Sequence, residues 1–184
     1  MKRILFSFIV LILSQTMSAQ QVSVSANILG YATLGTMNAD VSYSISRRWS
    51  ITAGARYNPF TFRKGDAQKQ FQLRQQSYSI GARLWPWHTL SGWWFASKLR
   101  YQEYNQGGIL SRDTQEGDRA GVGLYSGYTH MLSRHLNIEF GVGVWTGADF
   151  FSRYSCPICG VCYQRGVKAF VLPDDIAVSL VYVF

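Results

Sequence analysis

After residue 13 the sequence has no long apolar run, and this absence excludes membrane-spanning helices from the rest of the chain. A helix needs about 20 consecutive apolar residues to cross a bilayer, and no later segment reaches that length. Acidic residues are also scarce, because 10 Asp and Glu accompany 18 Lys and Arg. The cations are dispersed singly and not gathered in a stripe, so we do not expect a nucleic-acid-binding protein.

The sequence has only three cysteines, all within one short segment. Cys156, Cys159 and Cys162 follow one another at intervals of three residues, a spacing that suits a disulfide, a redox pair or a metal site. A closed zinc site requires four ligands, and no histidine lies near enough in the segment to complete one. In an oxidising compartment such cysteines form disulfides. We expect Cys156 to pair with Cys159, with Cys162 able to replace either, and we expect no metal and no cofactor.

The beginning of the chain has the three parts of a secretory signal peptide. Residues 1–3 are charged, residues 4–13 are apolar, and residues 14–20 supply small side chains for a cleavage site. We place the cleavage after Ala19. Residues 1–19 are then the signal peptide, and residues 20–184 form a single mature domain outside the cytoplasm.

The mature chain does contain about eight segments in which apolar and polar residues alternate. This pattern predicts two-faced β-strands. We expect strands at residues 22–36, 39–46, 49–57, 77–85, 92–104, 120–129, 136–150 and 174–184.

The polar faces of these segments favour a membrane barrel over a soluble one. Arg56, Arg83, Lys98, Arg100 and Glu139 lie in the middle of expected strands, among Ser, Thr and Gly. Such residues suit the polar interior of an outer-membrane barrel, and eight strands leave an interior that side chains fill. We therefore predict an all-β fold, an eight-stranded antiparallel up-and-down transmembrane β-barrel without an open pore. The five residues form its lumen ion network, in which the cations face Glu139, with Asp40 as a further acidic partner.

The lengths of the connections predict how the barrel is oriented. Short connections near residues 47–48, 86–91 and 132–135 alternate with long ones at residues 58–76, 105–119 and 151–173. Alternate connections of an up-and-down barrel leave from opposite ends, and in outer-membrane barrels the long ones are extracellular. We expect three long extracellular loops and periplasmic N- and C-termini in a Gram-negative outer membrane.

The last strand ends with apolar side chains on one face. Leu180, Tyr182 and Phe184 share that face, and the chain stops on the terminal aromatic residue. This ending resembles the strand that outer-membrane barrels present to the barrel assembly machinery, so we interpret these three residues as a C-terminal assembly signal.

A further resemblance is carried by several segments in a fixed order. They are NILGYAT at 27–33, RWSI at 48–51, YNPF at 57–60, YNQGG at 104–108, EGDR at 116–119, GY at 127–128, YSCPICG at 154–160 and VSLVYVF at 178–184. Together they resemble a domain-of-unknown-function family of small outer-membrane β-barrels from gut and oral Gram-negative anaerobes. The sequence departs from the family at residues 173–175, where relatives have a Pro-Thr-Lys type of entry into the last strand.

The resemblance implies partners rather than an activity, since the family has no agreed catalytic residues. From the residues themselves we expect contact with outer-membrane lipid, with lipopolysaccharide phosphates or interior carboxylates as partners of the dispersed cations, and with the barrel assembly machinery through the last strand. Some relatives are encoded beside fimbrial genes, which implies a surface or fimbrial protein as a further partner.

We therefore expect a non-enzymatic outer-membrane barrel with a structural, binding or surface-fibre assembly role. One alternative is an enzyme that transfers or removes acyl chains of outer-membrane lipids, which requires a nucleophile or base near the outer leaflet. His88, His130 and His135 map to the opposite end of the expected barrel. The other alternative is a soluble periplasmic lipocalin-like carrier, because such barrels also alternate.

Overall fold

The computed structural model describes residues 21–63, 70–108, 113–155 and 161–184, so the expected signal peptide lies outside the described residues. This part of the chain forms nine β-strands and one short helix. They are β1 Val22–Asn27, α1 Ile28–Ala32, β2 Met37–Ser44, β3 Trp49–Asn58, β4 Thr61–Phe62, β5 Phe71–Leu84, β6 Gly92–Gly107, β7 Thr114–Met131, β8 Leu136–Tyr154 and β9 Cys162–Val183.

Eight of these strands close into an antiparallel up-and-down barrel. β1 pairs with β2 and β2 with β3, and β5 to β9 pair in chain order. β3 also pairs with β5, and β9 returns to pair with β1, which closes the ring. β4 is a two-residue addition to the edge of β5. The eight-stranded antiparallel fold expected from the alternation is confirmed.

Within the described ranges, no helix has the length and apolarity needed to cross a bilayer.

The barrel is inverted relative to a soluble protein, because its large apolar side chains point outward. In β6, Trp93, Phe95 and Leu99 are 51%, 52% and 61% exposed. Lys98 and Arg100, which alternate with them, are buried in the interior. Period-2 alternation of the strand places the two sets on opposite faces.

The wall of the barrel is low on one side and tall on the other. β1, β2 and β3 contain 6, 8 and 10 residues, whereas β5 to β9 contain between 14 and 22. We call β5–β9 the tall wall. The lower end carries the turns at residues 45–48, 85–91 and 132–135, the start of β1 and the end of β9. We call the opposite end the upper end.

The tall wall corrects three of the expected connections. Residues assigned to long loops are largely strand, because β5 begins at Phe71, β7 at Thr114 and β9 at Cys162. Polar residues occupy both faces of parts of these segments, as at Gln75 and Gln76 of β5, and apolar and polar residues mix on both faces of the upper part of β9, so no clean alternation of hydropathy is visible. The upper connections are consequently shorter than the sequence suggested.

The first expected strand is also corrected, because β1 ends at Asn27 and α1 follows. The Asn27 side chain accepts the backbone N–H of Leu29 at 3.1 Å, which is the bond of a helix N-cap. The helix ends in a turn where Leu34 and Gly35 adopt φ values of 50° and 76°. Positive φ favours glycine, so the turn that leads into β2 is encoded locally.

β9 contains a bulge that reverses its inward and outward positions. Gly141 pairs with Ala177 but Gly143 pairs with Asp174, so β9 has one extra residue at this point. Below the bulge Val181 and Val183 are buried, whereas above it Asp174 points into the lumen. The expected start of this strand at residue 174 is also wrong, because β9 begins at Cys162.

An apolar cluster closes the lower end of the lumen. It consists of Trp85, Leu90, Trp94, Ala96, Val181 and Val183, with Tyr125 packed against it. The Trp94 ring lies against two inward glycines, since a Cβ on Gly127 would be 2.4 Å from the ring and one on Gly141 3.0 Å. Glycine at these positions makes room for the side chain that fills the lumen.

Replacing Gly127 with Val is expected to destabilise the barrel by about 1–3 kcal/mol, the usual cost of overpacking. The added side chain would collide with Trp94 and with the Phe140 carbonyl. The measurement is the midpoint of urea unfolding. The matched control is Ser126→Val on the outer face, where Ser126 lies between the exposed Phe95 and Val142. Equal midpoints for the two variants would contradict the packing of Trp94.

Candidate functional site in the lumen and upper end

Asp174 is a shared counter-ion in the middle of the lumen. Its Oδ2 lies 2.6 Å from Arg100 Nη1, and its Oδ1 lies 3.4 Å from Arg56 Nη1. The hydroxyl of Tyr125 donates a hydrogen bond to Oδ2 at 2.6 Å. The side chain is only 7% exposed, so its charge depends on these partners. The bulge in β9 is what turns this carboxylate inward.

Two further pairs complete this part of the network. Glu139 Oε2 accepts hydrogen bonds from Arg83 at 2.8 Å and from Thr129 Oγ1 at 3.2 Å. Lys98 Nζ lies 3.1 Å from Asp40 Oδ1. The five predicted network residues all line the lumen, but they fall into separate pairs. Arg56 and Arg100 meet Asp174, the first residue of the expected last strand, which the sequence analysis did not include in the network.

A second charged cluster lies towards the upper end, around the fully buried Asp149. The Tyr104 hydroxyl donates to its Oδ1 at 2.7 Å, and Arg119 Nε and Lys168 Nζ lie 3.3 Å and 3.5 Å from its Oδ2. The Arg119 guanidinium also stacks 3.8 Å from the centre of the Tyr104 ring. Sequence reasoning missed this cluster because Arg119 and Lys168 fell in expected loops.

A cavity of about 870 Å³ opens above the Asp149 cluster. One row of cross-strand partners runs round six strands at its level. The members of this row are Asn58, Gln75, Tyr104, Gly117, Phe151 and Gly166. We call this cavity the upper cup, because the apolar cluster below closes the opposite end. The residues of this row present amides, aromatic rings and two glycines to the cavity.

Two asparagines join the wall where β1 gives way to α1. The Asn27 N–H donates to Asn38 Oδ1 at 2.6 Å, and Asn38 Nδ2 donates to the Asn27 carbonyl at 2.9 Å. The Asn27 side chain also accepts the backbone N–H of Val178 in β9 at 3.2 Å. Both asparagines are buried. They therefore replace backbone ladder hydrogen bonds at the point where the short pairings of β1 with β2 and with β9 end.

Comparison with known families gives one match over nearly the whole chain. The model of the family described as "Protein of unknown function (DUF3575)" matches residues 5–184. The chain belongs to this family. No curated protein matches it. The predicted membership in a family of unknown function is confirmed, and the family assigns no activity to any residue of the site.

The outer face of this DUF3575 barrel changes from apolar to polar near the top of β6. The Tyr101 hydroxyl donates to the carboxylates of Glu103 and Asp118, each at 3.2 Å. Above it, Glu116 accepts hydrogen bonds from Asn105 Nδ2 at 3.0 Å and from the Tyr154 hydroxyl at 2.6 Å. The bond to Glu116 raises the pKa of Tyr154. Cross-strand polar bonds on the outside mark the upper limit of the apolar surface.

The histidines of the DUF3575 barrel lie at its lower end. His88 forms an isolated bridge with Ser91, and His130 is near the end of β7. His135 Nδ1 is 2.9 Å from the Val183 carbonyl, and its ring stacks on Tyr182. Within the described ranges, no group of three or more His, Cys, Asp or Glu is arranged to hold a metal ion.

The cysteine prediction is only partly within the described residues. Cys162 begins β9, carries a free thiol, and has its sulfur 3.5 Å from the Gln164 carbonyl. Cys156 and Cys159 lie outside the described ranges. The expected disulfide between them stays a prediction.

Replacing Asp174 with Asn is expected to lower the free energy of unfolding by about 3–5 kcal/mol, the cost of leaving buried charges without their partner. Arg100 would lose the carboxylate that lies 2.6 Å from its Nη1, and Arg56 would lose one of its partners. The control is Asp118→Asn on the outer face, which is expected to change stability by about 0.5 kcal/mol or less. Urea unfolding measures both, and an Asp174→Asn barrel as stable as the control would show that the shared counter-ion is wrongly assigned.

Proposed function

We propose that this protein is a non-enzymatic outer-membrane β-barrel whose tall wall presents a binding surface outside the cell. The observation that carries the proposal is the inverted arrangement of its side chains. Large apolar residues cover the outside of the strands, while charged pairs fill the inside. A soluble protein rarely exposes a contiguous apolar surface of this extent, whereas lipid requires one.

The height of the apolar surface supports this location. Trp93 to Tyr101 in β6 spans eight residue steps, and Leu136 to Val144 in β8 also spans eight. With a rise of about 3.3 Å per residue and a tilt of about 40°, each length corresponds to a vertical distance of about 20 Å. The apolar band of outer-membrane barrels is about 25 Å tall. Above this band the outer faces of β6 and β7 are polar, as at Glu103 and Asp118.

The proposed orientation places the lower end in the periplasm. Leu180, Tyr182 and Phe184 point outward at that end and are 44–47% exposed, as an assembly signal for the barrel machinery requires. The upper part of the tall wall then contacts lipopolysaccharide and the medium. The tight turns and both chain ends of the mature domain lie on the periplasmic side.

The proposed role is anchoring or accessory binding of a surface component, such as the fimbrial protein that the family resemblance implied. The filled lumen and the apolar cluster at the lower end favour this role over transport. A polar, ion-paired interior is unsuited to the apolar ligand of a lipocalin-like carrier. The histidines lie far from the outer leaflet, where acyl chemistry would take place, which favours a non-enzymatic barrel.

Replacing Leu99 with Arg tests the membrane location. Leu99 lies in the middle of the outer face of β6 and is 61% exposed, so in water this change would cost little. At the midplane of a bilayer an outward Arg costs about 2–4 kcal/mol. We expect that loss in urea unfolding from phospholipid vesicles.

The matched control is Val167→Arg, at a similarly exposed outward position of β9 above the apolar band. It is expected to leave stability nearly unchanged. Similar small effects of the two substitutions would show that Leu99 does not face lipid, and the outer-membrane proposal would fail.

A further inference from the structure

Among the described residues, no strand covers a long edge of β9. β8 pairs with β9 along almost its whole length, from Tyr182 to Cys162. On the other side β1 pairs with β9 only from Val183 to Ser179, and α1 lies beside β9 above that point. In the described part of the chain, no strand pairs with this side of β9 above Ser179. Because β1 is short, this edge of β9 stays open above Ser179.

The backbone groups on the open side belong to the outward-facing residues of β9. At the lower end, the N–H groups of outward-facing Phe184 and Val178 reach the β1 side, whereas that of inward-facing Val183 reaches the β8 side. N–H and C=O groups alternate between sides together with the side chains. Above the bulge, the outward residues are Arg165, Val167, Ala169 and Val171.

A proline marks the lower limit of this row. Pro173 is the next outward residue of β9 and pairs in register with Val144 of β8. Proline has no N–H, and within sheets it is confined to positions whose N–H side faces no partner strand. Its place in β9 fits a strand whose outward residues have an open side. The row of N–H donors thus begins at Val171 and continues upward to Arg165.

The open row lies above the proposed apolar band. Val171 is thirteen residues before the terminal Phe184, which corresponds to a height of about 30 Å with the rise and tilt of a membrane barrel. Unpaired backbone groups are not tolerated in lipid but are tolerated in water. The inference rests on the proposed membrane location, because that location sets the open edge outside the bilayer.

We propose that the edge from Arg165 to Val171 is a strand-addition site, which binds an extended acidic segment of a partner protein. An open sheet edge is a template for an added strand, with affinity from backbone hydrogen bonds and specificity from alternate side chains. Val167 and Val171 offer exposed apolar side chains next to the template, at 64% and 72%. Arg165 and Lys168 lie on opposite faces of the edge, and residues 161–173 contain no acidic residue. An added strand with carboxylates on both faces matches this charge.

A second copy of the chain does not fit this edge. Two barrels inserted upright in one membrane have β9 strands that run in the same direction and tilt by about 40° in the same hand. Where the two strands face each other they cross at about twice that angle, so they cannot form a ladder. The like charges of Arg165 and Lys168 add repulsion between copies.

The test uses the full-length barrel in lipid nanodiscs and a naive display library of nine-residue peptides. We expect the selection to enrich acidic peptides with alternating apolar residues. Binding of a selected peptide is expected to slow hydrogen exchange at the N–H groups of Val167, Ala169 and Val171 by at least tenfold. A selection that yields no binder, or one that protects other amides, overturns the proposal.

Two pairs of variants separate edge pairing from other binding. Val167→Pro removes an N–H on the open side, and Val167→Thr keeps it. Arg165→Glu reverses a charge at the edge, and Arg47→Glu reverses one at the lower end. We expect Val167→Pro and Arg165→Glu each to raise the Kd of a selected peptide at least tenfold, and their controls to leave it within twofold. Equal Kd values within either pair overturn the proposal, even if the peptide binds elsewhere on the barrel.

Gel mobility before and after heating shows whether each variant is folded. The hydrogen-exchange measurement uses the unmodified protein and does not depend on any variant. Binding of oligosaccharides to the upper cup, with no peptide captured at the edge, would also overturn the strand-addition site. A failure of this kind leaves the membrane location intact, because the Leu99→Arg comparison tests that location separately.

Discussion

Closure of the ring of backbone hydrogen bonds decides how this barrel is built. At the lipid depth proposed for it, a sheet is stable only when it has no open edge. Here the ring is closed between β1 and β9 by five residue pairs, far fewer than join β8 and β9. Asn27 and Asn38 extend the closure with side-chain bonds where β1 ends. The short seam is thus completed by side chains rather than by more strand.

Once the ring is closed, its interior must be filled and neutralised. Eight strands leave space that large side chains fill, and Trp94 and Tyr125 fit only because glycines lie opposite them, as at Gly127 and Gly143. The cations of the lumen are then held by four carboxylates among the described residues, each with its own partners. The same inward side chains stabilise the barrel and close its lower end. This explains why the lumen forms a cup and not a channel.

The sequence predicted those parts of the fold in which one face of a strand is apolar and the other polar. Residues 49–57 and 136–150 are examples, since their alternation marked strands that the structure extends by only one and four residues. It missed the upper parts of β5 and β7, where polar residues occupy both faces, and the upper part of β9, where apolar and polar residues mix on both faces, so no clean period is visible. It missed the α1 helix, because Asn27 caps a helix of only five residues with no periodicity of its own.

The most consequential error concerns Asp174. Alternation counted back from Phe184 predicts an outward position for this residue, and the bulge below it reverses that prediction. A bulge adds one residue without a hydropathy signal, so the shared counter-ion of Arg56 and Arg100 could not be found by pattern alone. Arg83, Lys98 and Glu139 were placed on the correct face because their strands are regular near these positions.

The measurement that tests the account most directly is the environment of single nitroxide labels on the outer face. Labels at Leu99, Val144 and Val167, in a background with the cysteines replaced by Ser, would be compared in phospholipid vesicles for collision with oxygen and with a polar nickel complex. If the barrel lies in lipid as proposed, labels at Leu99 and Val144 collide far more often with oxygen than with the nickel complex, whereas the label at Val167 collides readily with the nickel complex. Equal access of nickel to all three positions would contradict a barrel that is embedded up to the base of its open edge.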